Sequence, residues 1–239
     1  MKTKFALALI ALVLSLPIAF AQTETVEAEE AGVTPDSALY GLDKALDRVS
    51  LALTFNKEKK AVKGLKIAQE RLSEVQKMIE ENKFEHAEKA QKEHQKALEK
   101  TEKAIEEIES NGNAEKSKEA IEKITKLQKE TMSHAEKVAA VKNRILERQR
   151  ERMTPEQIAK LEEVFGKIIT KAQETETKLE TKKENTVTKY KTLSQKTDAE
   201  VEKEVGEIEK NTGLEKKSKS AEKVEETTET EEVKEEKNK

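Results

Sequence analysis

The chain has 239 residues, with 46 Lys and Arg against 49 Asp and Glu and a formal net charge of −3. Only 34% of residues are hydrophobic and 40% are charged, with five Phe, two Tyr and no Trp, whereas an ordinary globular domain is about 45–50% apolar. This excludes a compact, many-layered core and suits helices that each bury one stripe; the interleaving of acid and base speaks against a nucleic-acid surface.

Residues Met1 to Ala21 read as a secretory signal peptide. Lys2 and Lys4 precede the apolar run Phe5 to Ile18, and Ala19-Phe20-Ala21 places the cut before Gln22. The run is short for a full membrane span, so cleavage is expected over retention as an anchor; losing Lys2 and Lys4 lowers the net charge of −3 by two, to −5. No other stretch is apolar enough to cross a membrane. There is no cysteine, so an exported chain has no disulfide and no site for a lipoprotein anchor. Residues 22–34, with Glu24, Glu27, Glu29 and Glu30, read as a disordered acidic spacer.

The densest apolar patterning lies between Pro35 and Glu81. Thr34 or Asp36 is expected to cap a first helix with Pro35 in its first turn, and Gly41 delays regular helix to about Leu42. The ladder Leu39, Leu42, Leu46, Val49, Leu53 is one helical stripe. Asn56 is the expected N-cap of a second helix, whose ladder is Ala61, Leu65, Ala68, Leu72, Val75, Ile79. The connection is short, so the two stripes are predicted to bury against each other.

Asn82-Lys83 marks a turn, and a third helix is expected from about Phe84 to Ser110. Its seam is Phe84, Ala87, Gln91, His94, Leu98, Thr101, Ile105, Ile108. Asn111-Gly112-Asn113 ends it and starts a fourth helix running from Ala114 to about Arg152, with the seam Ala120, Ile124, Leu127, Thr131, His134, Val138, Val141, Ile145. Thr154-Pro155-Glu156-Gln157 is a capping box, followed by a face of Ile158, Leu161, Phe165, Ile168 and Ala172. The stripe then thins to Leu179, Val187, Tyr190, Leu193, Val201, Val205 and Ile208, a long helix or coiled coil expected to break near Lys183 to Thr188. Residues 211–239 read as a disordered charged tail. The expectation is all-α: an elongated antiparallel helical bundle or coiled coil of about five helices with disordered termini. Its segments are 1–21 signal peptide, 22–34 spacer, 35–110 helical domain, 111–152 long helix, 153–210 long helix or coiled coil, and 211–239 tail.

The block Pro35-Asp36-Ser37-Ala38-Leu39-Tyr40-Gly41-Leu42, then Ala45 to Phe55, Lys57-Glu58-Lys59 and Ala68 to Glu74, resembles the family called domain of unknown function 5667. That resemblance covers about Pro35 to Ser110 and implies a helical module of an exported or membrane-anchored protein, without catalytic residues. Met153-Thr154-Pro155-Glu156-Gln157 is weakly similar to the Leu-Thr-x-x-Gln motif of periplasmic stress chaperones, which carry two copies of it.

A nucleophile–base–acid set is not visible: cysteine is missing and no serine lies in an elbow motif. The seven glycines stand singly, so no phosphate loop occurs. No catalytic, cofactor-binding or metal-binding residue is assigned, no cofactor is expected, and the chain is expected not to be an enzyme. His94 and His134 both fall in seams, where a hairpin would put position 94 opposite position 130. A metal site with Glu93 or Glu130 is conceivable, but tolerated semi-polar seam residues are preferred over it, because no Glu-x-x-His or His-x-x-x-His pair is present. Arg144, Arg148, Arg150 and Arg152 complement the fourth helix's dipole in preference to forming an anion site. The expected role is a non-enzymatic structural or interaction protein, periplasmic, extracellular or on the cell surface, with envelope proteins as partners, no nucleic acid and self-association open. The alternative is a stress chaperone or metal-responsive protein.

Overall fold

The computed structural model describes residues 32–110 and 112–214. The expected signal peptide, the expected acidic spacer up to residue 31, Asn111 and the expected charged tail beyond Leu214 lie outside the described residues. Among those described there are six α-helices, one 3-10 turn and no strand. They are α1 (Tyr40–Ala52), α2 (Lys57–Glu80), α3 (Phe84–Glu106), α4 (Ala114–Gln149), the turn Arg150–Arg152, α5 (Pro155–Ser194) and α6 (Asp198–Thr212).

The helix ends follow local side-chain chemistry. Asn56 accepts from the Lys59 amide and Asn113 from the Lys116 amide, each satisfying a donor of the first turn. Thr154 and Gln157 form a reciprocal capping box. Asn82 turns the chain at a φ of 59°, and Gly112 does so at 129°, left-handed conformations that Asn and Gly tolerate best.

The helices α2 to α5 form a four-helix bundle. Around it, α2 packs on α3, α3 on α5, α5 on α4 and α4 on α2, so α3 and α4, although joined in sequence, face each other across the diagonal. The chain runs up, down, up, down, which makes the neighbours α2/α4 and α3/α5 parallel. Two apolar cores fill the interior. One includes Leu65, Leu98, Ile105, Ile124, Leu127 and Leu179; the other includes Val75, Ile79, Phe84, Val138, Phe165 and Ile168. At 1.5 Å per residue, the 36 residues of α4 and 40 of α5 outrun the α2–α3 hairpin. The surplus is covered by α6, through Ile121, Tyr190, Val201 and Ile208.

Five expectations change. α1 starts at Tyr40 without a side-chain cap; Thr34 instead donates to Asp36 at 2.6 Å, and Asp36 accepts from Lys83 at 2.6 Å. The break expected at Lys183 to Thr188 falls at Gln195, which is left-handed with φ 57°, followed by a second capping box at Thr197 and Glu200. The helix survives the Thr-rich stretch because Thr181, Thr186, Thr188 and Thr192 return their hydroxyl hydrogens to the carbonyl four residues back. Leu193 is exposed, and residues 211–212 belong to α6.

The fifth change is the largest. The first ladder does not bury against α2. Leu39, Leu42, Leu46, Val49 and Leu53 are 55–67% exposed, and Phe55 is 83% exposed.

Candidate functional site

α1 is attached to the bundle by its polar side. Arg71 of α2 is 2% exposed and donates to Asp43 and Asp47 of α1 and to Glu74 of its own helix, each at 2.6 Å. Tyr40 is buried beside it, with the Arg71 guanidinium 5.5 Å from the ring centre. Lys44 reaches Glu93 of α3 at 3.5 Å. One guanidinium cannot neutralise three carboxylates, and the group buried most deeply responds: desolvation pushes the Glu74 carboxyl up to about 7, against the pull of Arg71. Burial also raises Asp47. With the polar side turned inward, the apolar ladder of α1 faces solvent. Ala38, Ala45 and Ala52, seven residues apart, flank it and are exposed too. The arrangement offers a ridge of large aliphatic side chains beside a row of small ones.

A polar layer separates the two apolar cores. His94 and His134 meet across the bundle diagonal with their Nε2 atoms 2.9 Å apart and their rings stacked at 5.1 Å. Both are fully buried. One ring donates its Nε2–H to the lone pair of the other, so the two hold opposite tautomers. Neither Nδ1 has a hydrogen-bond partner, nor do Gln91 Nε2 and Thr131 Oγ1 nearby. Desolvation holds both imidazoles neutral. His134 is lowered to about 4, with the Lys137 charge a second cause; His94 is lowered by burial and then by His134.

The seam reading thus brings the two histidines together, with position 94 opposite 134 rather than 130, since α3 and α4 pair diagonally rather than as a hairpin. It does not bring the carboxylates: Glu93 is held by Lys44 and Lys96, and Glu130 is exposed. No group of three or more His, Cys, Asp or Glu that could hold a metal occurs among the described residues. Arg148, Arg150 and Arg152 are exposed at the C-terminal end of α4 and in the turn after it, where cations meet the negative end of the helix. Thr154 and Gln157 of the chaperone-like motif are occupied in capping, and Gln157 also donates to Asn82 at 3.1 Å.

Sequence reasoning missed three buried ionisable residues. Arg71 and its neighbour Glu74 are two. Glu102 of α3 is the third: it is 3% exposed and clamped by Lys171, Lys178 and Thr175 of α5 at 2.6–2.9 Å. Burial alone would raise its carboxyl, but Lys178, Lys171 and Thr175 outweigh it and lower it. The signal was present in the spacing. Arg71 stands three residues after Ala68 and four before Val75, and Glu102 four after Leu98 and three before Ile105, so each lies within its helix's seam.

Residues 32–148 match the model of a family described as a domain of unknown function (DUF5667). The resemblance read between Pro35 and Ser110 is therefore shown, and it continues through α1, α2 and α3 almost to the end of α4. No protein of curated function and no solved structure matches the chain. No helix among the described residues is long and apolar enough to cross a membrane.

Proposed function

We propose that this is an exported, non-enzymatic interaction or structural protein of the cell envelope. The observation that carries the reading is the aliphatic ladder of α1, held outward by the Arg71 cluster on the helix's other side. Exposed apolar patches of this kind mark surfaces that engage a partner. The leader-like Met1 to Ala21 supports export, and the absence of cysteine and of a nucleophile elbow in the sequence supports a role without catalysis.

The test is a photo-crosslinking residue placed at Leu42 or Val49 of the full chain, expressed in its native envelope. A protein adduct is expected at these positions and not at the outward-facing Lys59 of α2. Failure to form any protein adduct from the ladder would overturn the reading.

A further inference from the structure

We propose that the α1 ladder pairs with the same ladder of a second copy of this chain, antiparallel, about a two-fold axis at Leu46. The proposal deepens the reading above and rests on it.

The orientation of α1 is fixed from the bundle side. Asp43 and Asp47 are bonded to Arg71, and Tyr40 and Leu51 are the buried apolar anchors. Rolling the helix to bury Leu42 and Val49 would take both aspartates off a guanidinium that is itself 2% exposed, leaving a buried cation unpaired. The ladder must therefore be covered from outside or remain wet.

Its geometry fits another helix better than a lipid surface. The steps from Leu39 to Leu53 are three, four, three, four, the repeat of a coiled-coil seam. Ala38, Ala45 and Ala52 run along one edge at intervals of seven and are all exposed. Small residues at that spacing let two helix axes approach closely, since the interaxial distance is set by the side chains at the contact. A bilayer gains nothing from them.

The partner that fits is the same helix. Reversed about Leu46, Leu39 falls opposite Leu53 and Leu46 opposite its own copy, while Leu42 and Val49 come within one residue of facing each other. This is the self-complementarity that an isologous two-fold contact requires. No ladder position is charged. On the other edge stand Ser50 and Asp43, and the Asp43 carboxylate is turned away from the seam to its ion pair with Arg71. Pairing therefore sets no unpaired like charges against each other. The ladder is 55–67% exposed at every position and Phe55 continues it at 83%, so the strip is open along its whole length to a partner helix.

The experiment uses the full chain, whose monomer mass is 27.0 kDa. Light scattering on the eluting protein is expected to give twice that mass, and Leu46→Glu to give the monomer. Because Leu46 is 61% exposed, the variant's far-UV helical signal at low temperature should stay unchanged while its thermal midpoint loses the dependence on protein concentration that a dimer shows, which separates loss of pairing from loss of folding. The chain has no cysteine, so introduced thiols report orientation cleanly: Leu46→Cys should cross-link to itself, and Leu39→Cys to Leu53→Cys but not to itself. A monomeric wild type, a dimeric Leu46→Glu, or self-cross-linking of Leu39→Cys would each overturn the proposal. A monomer that floats with phosphatidylglycerol vesicles assigns the ladder to lipid and overturns it, as does a monomer in which residues 5–18 cross-link to Leu46. In the envelope experiment, adducts with a different protein sink this inference and leave the proposed function standing, whereas no protein adduct at all sinks both.

Discussion

Glu74 and the histidine pair show how single buried polar residues set this protein's response to pH, in opposite directions. His134 titrates near 6.5 unfolded and about 4 folded. Its contribution is therefore complete above pH 6.5 and lost as pH falls toward 4, by up to roughly 3 kcal/mol at 1.36 kcal/mol per unit; His94 is shifted the same way. Glu74 is raised from 4.5 to about 7, so its contribution is complete below 4.5 and lost as pH rises through 7. Replacing both histidines, His94→Leu with His134→Leu, removes an orphaned donor and acceptor together, which is near neutral or stabilising when shape is kept. Urea midpoints at pH 7, 5.5 and 4.5 should show the wild type losing more stability across that range than the double variant; equal losses would mean the pair does not carry the acid sensitivity.

At the scale of elements, periodicity placed the seams of α2, α3 and α4 correctly, because a bundle helix buries whichever stripe is most apolar. Every ladder residue from Ala61 to Ile79 is buried. It failed for α1 because periodicity names a face and not the direction that face points. The direction depends on Arg71, 24 and 28 residues beyond Asp47 and Asp43, and one Glu, Asp or Arg in a chain that is 40% charged does not announce its partner. Gly64 is a second case where sequence alone misleads. In mid-helix, Ala normally improves on Gly by about 0.5–1 kcal/mol. Here a Cβ would stand 2.3 Å from Thr101 Oγ1 and 3.3 Å from the Ala97 carbonyl oxygen. Gly64→Ala should therefore destabilise by about 1–3 kcal/mol, as overpacked cores do, and Thr101→Ala should recover part of the loss. Chemical denaturation of the two single variants and the double variant measures this.

For the whole molecule, the all-α class and most helix ends were legible, since Asn56, Asn113 and Thr154 are strong local caps. The diagonal placement of α3 and α4 was not, because the segment from Glu107 to Asn113 is long enough to serve either a hairpin or a crossing. The proposed export is tested on the whole chain. Intact-mass measurement of the protein recovered outside the cytoplasm should show a mature N-terminus at Gln22, and a mass retaining Met1 to Ala21 would contradict cleavage.

The diagonal also has a kinetic consequence. α2 with α3, and α4 with α5, are neighbours both in sequence and in space, so each pair can zip up locally, which favours speed. The bundle closes only when the two pairs dock. At that moment His94 from one pair and His134 from the other must both shed water and surrender any proton. Below about pH 6.5 that toll falls on the docking step, so mildly acidic solution should slow assembly of the halves while leaving the formation of each half untouched.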